Sequence, residues 1–149
     1  MYKHILVAVD GSHTSELALH EAINLARTLK SRLRLVHTVD EIGSTMYSPE
    51  YPPPPDIFAA MLKAGRDVLD KAAATASATG IEVDTKLIEI KTLGRRVPEV
   101  IAEEADAWPA DLVVIGTHGR RGLSRMLLGS VAEGIVRVSA KPVLLIHGT

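Results

Sequence analysis

The stretch from Gly116 to Ser130, GTHGRRGLSRMLLGS, holds four glycines, three arginines and no acidic residue. That composition suits an anion. Gly116 and Gly119 can adopt positive φ and let backbone N–H groups approach a ligand closely. Gly129 and Ser130 open a helical pattern, and the first amides of a helix lack intrahelical acceptors and lie at the positive end of its dipole. A phosphate fits such a place, and Ser130 adds a hydroxyl donor. Arg120, Arg121 and Arg125 strengthen the field. A glycine-rich surface loop with solvated arginines would read the same way. Among the acids, Asp10 stands out because an apolar run ends at it and Gly11-Ser12 follows. It can shape a turn or cap a helix, or it can meet a ligand at the carboxyl end of a strand.

Several other chemistries are absent from the sequence. There is no G-x4-G-K-[ST] phosphate loop, no G-x-G-x-x-G after the first apolar run and no H-E-x-x-H. Ser124 lies in GLSRM, which lacks the second glycine of a nucleophile elbow. The six histidines are scattered, so a metal site is not expected. His37, inside an apolar strand pattern, reads as a satisfied strand histidine. His118 is the one candidate base beside the glycine-rich loop. The chain has no cysteine, which excludes disulfides and thiolate chemistry and fits a reducing, cytoplasmic setting. A net charge of −1 gives no general nucleic-acid binder. The N-terminus lacks a signal-peptide pattern, and no apolar stretch approaches the roughly 20 residues of a membrane helix.

These residues need elements to position them. His4–Val9 (HILVAV) is short, apolar and β-branched, as in a strand covered on both faces. Leu33–Val39, Val83–Ile90, Leu112–Ile115 and Val143–Ile146 are further strands, the second of these being the more alternating and half exposed. Ala18, Ala22, Leu25, Ala26 and Leu29 fall on one helical face, with Ser12 or Thr14 as cap and Glu16 near the first turn. Ile57, Met61, Leu62, Val68, Leu69, Ala72 and Ala76 mark a second helix ending near Gly80. Val97, Ile101 and Ala105 mark a third, with Pro98 in its first turn. Val131, Ile135 and Val138 mark a fourth, stopped by Lys141-Pro142. Strands thus alternate with helices in one domain over 1–149, an α/β chain with a parallel sheet covered on both faces. The irregular segment Glu41–Asp56 contains Pro52–Pro55, which suits a solvated polyproline loop or a docking site for a protein partner.

The chain resembles the universal stress protein family over essentially its whole length. The resemblance rests on ILVAVDGS, LVHTVDE, DLVVIGTHG, LLGSVAEGIV and above all G-x2-G-x9-G-[ST], here Gly116, Gly119, Gly129 and Ser130. It implies an open, Rossmann-like, five-stranded parallel sheet in the order 3-2-1-4-5 with four helices. It also implies the nucleotide-binding branch, with ATP as ligand and Mg2+ as its companion. Asp10 would then meet the ribose hydroxyls and Thr38 the adenine edge through its backbone. Ala8, Val9 and Ile115 would border the base. Gly116, Gly119, Gly129, Ser130 and Val131 would cradle the phosphates, with His118 and Arg120 beside them. Ala107-Trp108-Pro109 lengthens one junction and is expected to be a surface excursion.

The final strand is apolar and, in that order, lies at a sheet edge, which invites pairing with another chain. Family members commonly dimerise there, so a homodimer through Val143–Ile146 is expected. The leading functional expectation is a nucleotide-binding regulatory or stress-response protein. The alternatives are a slow ATP-hydrolysing enzyme on the same site and a nucleotide-free interaction module.

Overall fold

A computed structural model of the chain describes residues 1–42, 54, 56–118 and 128–148. Strands and helices alternate as β1 (His4–Ala8), α1 (His13–Leu29), β2 (Arg32–Asp40), α2 (Ile57–Ser77), β3 (Val83–Ile90), α3 (Val97–Ala107), β4 (Leu112–Gly116), α4 (Ser130–Val138) and β5 (Val143–Ile146). The five strands form one sheet in the order β3-β2-β1-β4-β5, and every pairing is parallel. All carboxyl ends therefore point one way. β1 and β4 are neighbours at the position where strand order reverses, with Ile5 opposite Leu112 and Val7 opposite Val114. That is where open α/β sheets leave a crevice.

The alternation of side chains along the buried strands builds two cores. Ile5, Val7, Leu33, Leu35 and Val114 face α1 and α2, meeting Ala18, Ala22, Leu69 and Ala76. Leu6, Val36, Val113 and Ile115 face the other way and meet Ile101, Ala105 and Ile135 of α3 and α4. Burying each large aliphatic side chain contributes about 1.5–3 kcal/mol, so the central strands are the rigid floor of the crevice. Small residues bring the helices close. A Cβ on Gly65 of α2 would fall 2.8 Å from His37 of β2, and one on Gly134 of α4 would fall 2.4 Å from Pro98 of α3.

The helix caps follow the local sequence. The Ser12 hydroxyl accepts the Ser15 N–H at 3.2 Å and starts α1. Pro98 lies in the first turn of α3. Some expectations need correction. β1 stops at Ala8, although the Val9 N–H still reaches the Val36 carbonyl at 2.9 Å. β2 runs longer at both ends than Leu33–Val39, and β4 takes in Gly116. Val138 is 48% exposed, so it does not belong to the buried face of α4. In the Ala107-Trp108-Pro109 junction, Ala107 and Pro109 are exposed as expected, but Trp108 is not. It is half-buried against the second core, edge-on to His4 at 5.2 Å, with the Arg34 guanidinium 5.0 Å from its ring centroid. Of the Pro52–Pro55 run only Pro54 is among the described residues. Its carbonyl accepts the Ile57 N–H at 3.1 Å where α2 begins.

Arg34 ties the amino end of the sheet together. It bonds Asp84 of β3 and Glu104 of α3, both at 2.7 Å. These partners, Asp84 foremost, hold the guanidinium above its ordinary pKa. Folding stability from that shift is present below the unfolded value and is lost only at pH above it, so the pair persists through neutral and alkaline conditions.

Candidate functional site

Asp10 leaves β1 into a tight, self-bonded turn. Its carboxylate accepts the Ser12 N–H at 2.9 Å, and its own N–H donates to the Ser15 hydroxyl at 3.0 Å. Gly11 takes φ 83°, a conformation that a side chain would strain. The turn role and a ligand-facing role are therefore not alternatives. The turn fixes Asp10 at the mouth of a crevice of about 610 Å3 that spans the carboxyl ends of the strands. One strand over, the His37 ring donates from Nδ1 to the Val9 carbonyl at 2.8 Å, which fixes its tautomer and ties β2 to the end of β1. This is the satisfied strand histidine expected from the sequence, and it also lines the crevice.

The far side of the crevice is made by β4 and α4. The Thr117 N–H donates to the Ile146 carbonyl at 2.9 Å, and the Thr117 carbonyl accepts the Gly129 N–H at 2.6 Å. That second bond returns the chain to the end of β4 and sets the origin of α4. Gly129 is the N-cap, at φ −63° and ψ 155°, and no side chain caps the helix. The amides of Ser130, Val131 and Ala132 lie in the first turn, where no intrahelical acceptor exists. Beside them begins α3, also without a side-chain cap, preceded by Arg95 and Arg96. The Pro98–Gly134 approach holds the two helix starts together. Arg95 pairs with Glu103, which raises its pKa, while Arg96 has no ion pair among the described residues.

The crevice therefore has two electrostatic ends. Asp10 and Asp40 stand at the β1–β2 side, and the Asp40 carboxylate accepts the Ile42 N–H at 3.2 Å. Two helix starts and two arginines stand at the α3–α4 side. Ala8, Val9, Val36, Ile101 and Ile115 supply apolar lining to the same crevice. Three buried polar atoms of the described residues have no hydrogen-bond partner: Thr38 Oγ1, Thr117 Oγ1 and His118 Nδ1. All three residues line this one crevice. Leaving a buried polar group unsatisfied costs about 1–3 kcal/mol.

The structure brings together Ala8, Val9, Asp10, Thr38, Ile115, Gly116, His118, Gly129, Ser130 and Val131 around the crevice. Gly119 and Arg120, with Gly122, Ser124, Arg121 and Arg125, lie outside the described residues. Two expectations about the glycines change. Gly116 is a strand residue rather than a positive-φ turn. A Cβ there would fall 2.7 Å from Thr14 Cγ2, so α1 requires the glycine whatever the ligand. The Gly129 N–H is already committed to Thr117, which leaves the amides after it for an anion. Sequence reasoning missed Arg95, Arg96 and Thr117. The arginines lie far from the glycine-rich stretch in the chain, and Thr117 occupies a variable place in G-x2-G. Among the described residues no group of three or more His, Asp or Glu could hold a metal ion, and no helix is long and apolar enough to cross a membrane.

A family model described as the universal stress protein family matches residues 1–147. A universal stress protein of Methanocaldococcus jannaschii is 33% identical over 151 residues, covering 98% of this chain and 82% of that protein. The crystal structure of a family protein from Burkholderia pseudomallei superposes with a TM-score of 0.79 at 35% identity, covering 99% of this chain and 97% of that one. A universal stress protein from Archaeoglobus fulgidus, solved in complex with dAMP, superposes with a TM-score of 0.67 at 27% identity, covering 97% and 98% of the two chains.

Proposed function

The chain belongs to the universal stress protein family, and from that premise we propose that its crevice binds an adenine nucleotide, ATP by preference. On this reading the protein acts by holding the nucleotide, as a homodimer in a stress response. The observation that carries the proposal is the mixed lining of one crevice: carboxylates from the ends of β1 and β2, uncapped helix starts and arginines of α3 and α4, and apolar strand ends. A nucleotide carries a group for each of these surfaces. Its ribose hydroxyls donate to a carboxylate, its base suits an apolar wall, and its phosphates suit helix N-termini. The dAMP complex of the Archaeoglobus relative supports the same class of ligand.

Asp10 is assigned to the ribose and Thr38 to the adenine edge, with Ala8, Val9 and Ile115 along the base. Ser130 and Val131 receive the phosphates, and His118 stands beside them. Arg96 adds positive charge to the two helix starts, which supports the binding of phosphate groups. Mg2+ then enters as the counter-ion of the phosphates rather than as a metal bound by side chains.

The test is titration of the purified protein with ATP by calorimetry, together with release of co-purified nucleotide on denaturation. Saturable binding is expected, and an empty protein that gives no heat up to millimolar ATP refutes the reading. Gly129→Val provides the site-directed arm. The φ and ψ of Gly129 are open to any residue, so the variant should fold while its side chain obstructs the phosphate. Loss of at least tenfold in ATP affinity is expected, with an unchanged circular dichroism spectrum. Unaltered affinity would remove the assignment.

A further inference from the structure

We propose that the hydroxyl of Thr117 is a ligand-binding group of this crevice, donating a hydrogen bond to the phosphate received by the start of α4; the proposal rests on the nucleotide reading above. Thr117 is 1% exposed, and its Oγ1 has no hydrogen-bond partner among the described residues. Its backbone is fully engaged, the N–H with Ile146 and the carbonyl with Gly129. The residue is thus held rigidly while its one remaining polar group is left unsatisfied. Burial without a partner is unfavourable for a hydroxyl, and a valine of nearly the same shape would avoid that cost.

Position supplies the rest of the argument. Thr117 lines the crevice, and its carbonyl holds Gly129, so it sits one hydrogen bond from the residue that opens α4. On the proposal, the hydroxyl of this residue adds a donor to the anion site offered by the uncapped amides of Ser130 and Val131. It also adds a geometric check, because a hydroxyl at a fixed place rewards a phosphate oxygen only in one register. Thr38 Oγ1, the other orphaned hydroxyl, stands on β2 at the opposite side of β1, so the two are suited to different parts of one ligand.

The test compares wild type, Thr117→Val and Thr117→Ser by thermal unfolding without ligand and by calorimetric titration with ATP and with adenosine. Removing an unpaired hydroxyl should leave the ligand-free melting temperature of the valine variant equal or higher. Its ATP affinity should fall about tenfold or more, in line with hydrogen bonds to charged groups. Its adenosine affinity should be unchanged, and serine should restore ATP binding. If wild type binds ATP and the valine variant binds it equally well, the hydroxyl serves only a trapped water and the proposal falls alone. If valine lowers the melting temperature by several degrees and weakens ATP and adenosine alike, Thr117 is structural and the proposal again falls. If wild type binds no ATP, the nucleotide reading falls and takes this one with it.

Discussion

Asp10 bonds its own turn and also lines the crevice, so its proposed ligand role can be tested separately from its backbone role. Its carboxylate accepts the Ser12 N–H, which an amide oxygen could accept equally well. Asp10→Asn should therefore keep the turn and the melting temperature within about 2 °C, since substitutions that preserve local bonding stay near ±0.5 kcal/mol. The proposed ribose contact uses both carboxylate oxygens as acceptors, and asparagine keeps only one, so affinity for ATP should fall about tenfold or more, as read by calorimetry. A variant that melts much lower with its affinity intact would reduce Asp10 to a turn residue. Asp10 was legible in the sequence because an acid after an apolar run and before Gly-Ser has few other uses. Arg96 was not. Nothing in RRVPE marks its arginines as neighbours of Ser130, because only the packing of α3 on α4 makes them so.

The element that decides the site is the pair of helix starts. Their separation is set by Gly134 against Pro98, where an added Cβ would fall 2.4 Å from the proline ring. Alanine is normally favoured over glycine inside a helix by about 1 kcal/mol. Overpacking costs about 1–3 kcal/mol, and a contact this short belongs at the upper end. Gly134→Ala should thus destabilise the protein by about 1–2 kcal/mol, or roughly 2–8 °C in melting temperature, and should weaken ATP binding by moving the two anion-facing ends apart. Differential scanning calorimetry decides the sign; a more stable variant would mean that the helices do not depend on that approach. Strands and helices were legible because apolar runs and 3.6-residue spacing are properties of neighbours in sequence. The ends were less so. Gly116 extends β4 because α1 needs the room, and Val138 escapes burial because α4 ends there. Both outcomes depend on partners that a local pattern does not contain.

For the whole molecule, the sheet order leaves β5 at an edge. Pro142 and Ile146 give their carbonyls to β4, so in a parallel ladder the backbone groups of Val143 and Leu145 face outward. Its side chains are half-buried along the entire strand. A second copy pairing at this edge is the expected homodimer. Light scattering at micromolar concentration should give twice the 16.0 kDa chain mass, and a monomer would exclude pairing through β5. The two ends of the sheet differ in kind. At the amino end, Arg34 joins β2, β3 and α3, and the Asp111 carboxylate holds the N–H groups of Lys3 and His4 at 2.7 and 3.0 Å. At the carboxyl end lie the orphaned hydroxyls and the uncapped helices. Local opening follows such differences in bonding. A nucleotide bound as proposed would fasten the less tied of the two ends, and so act on one pole of the molecule while leaving the other as it is.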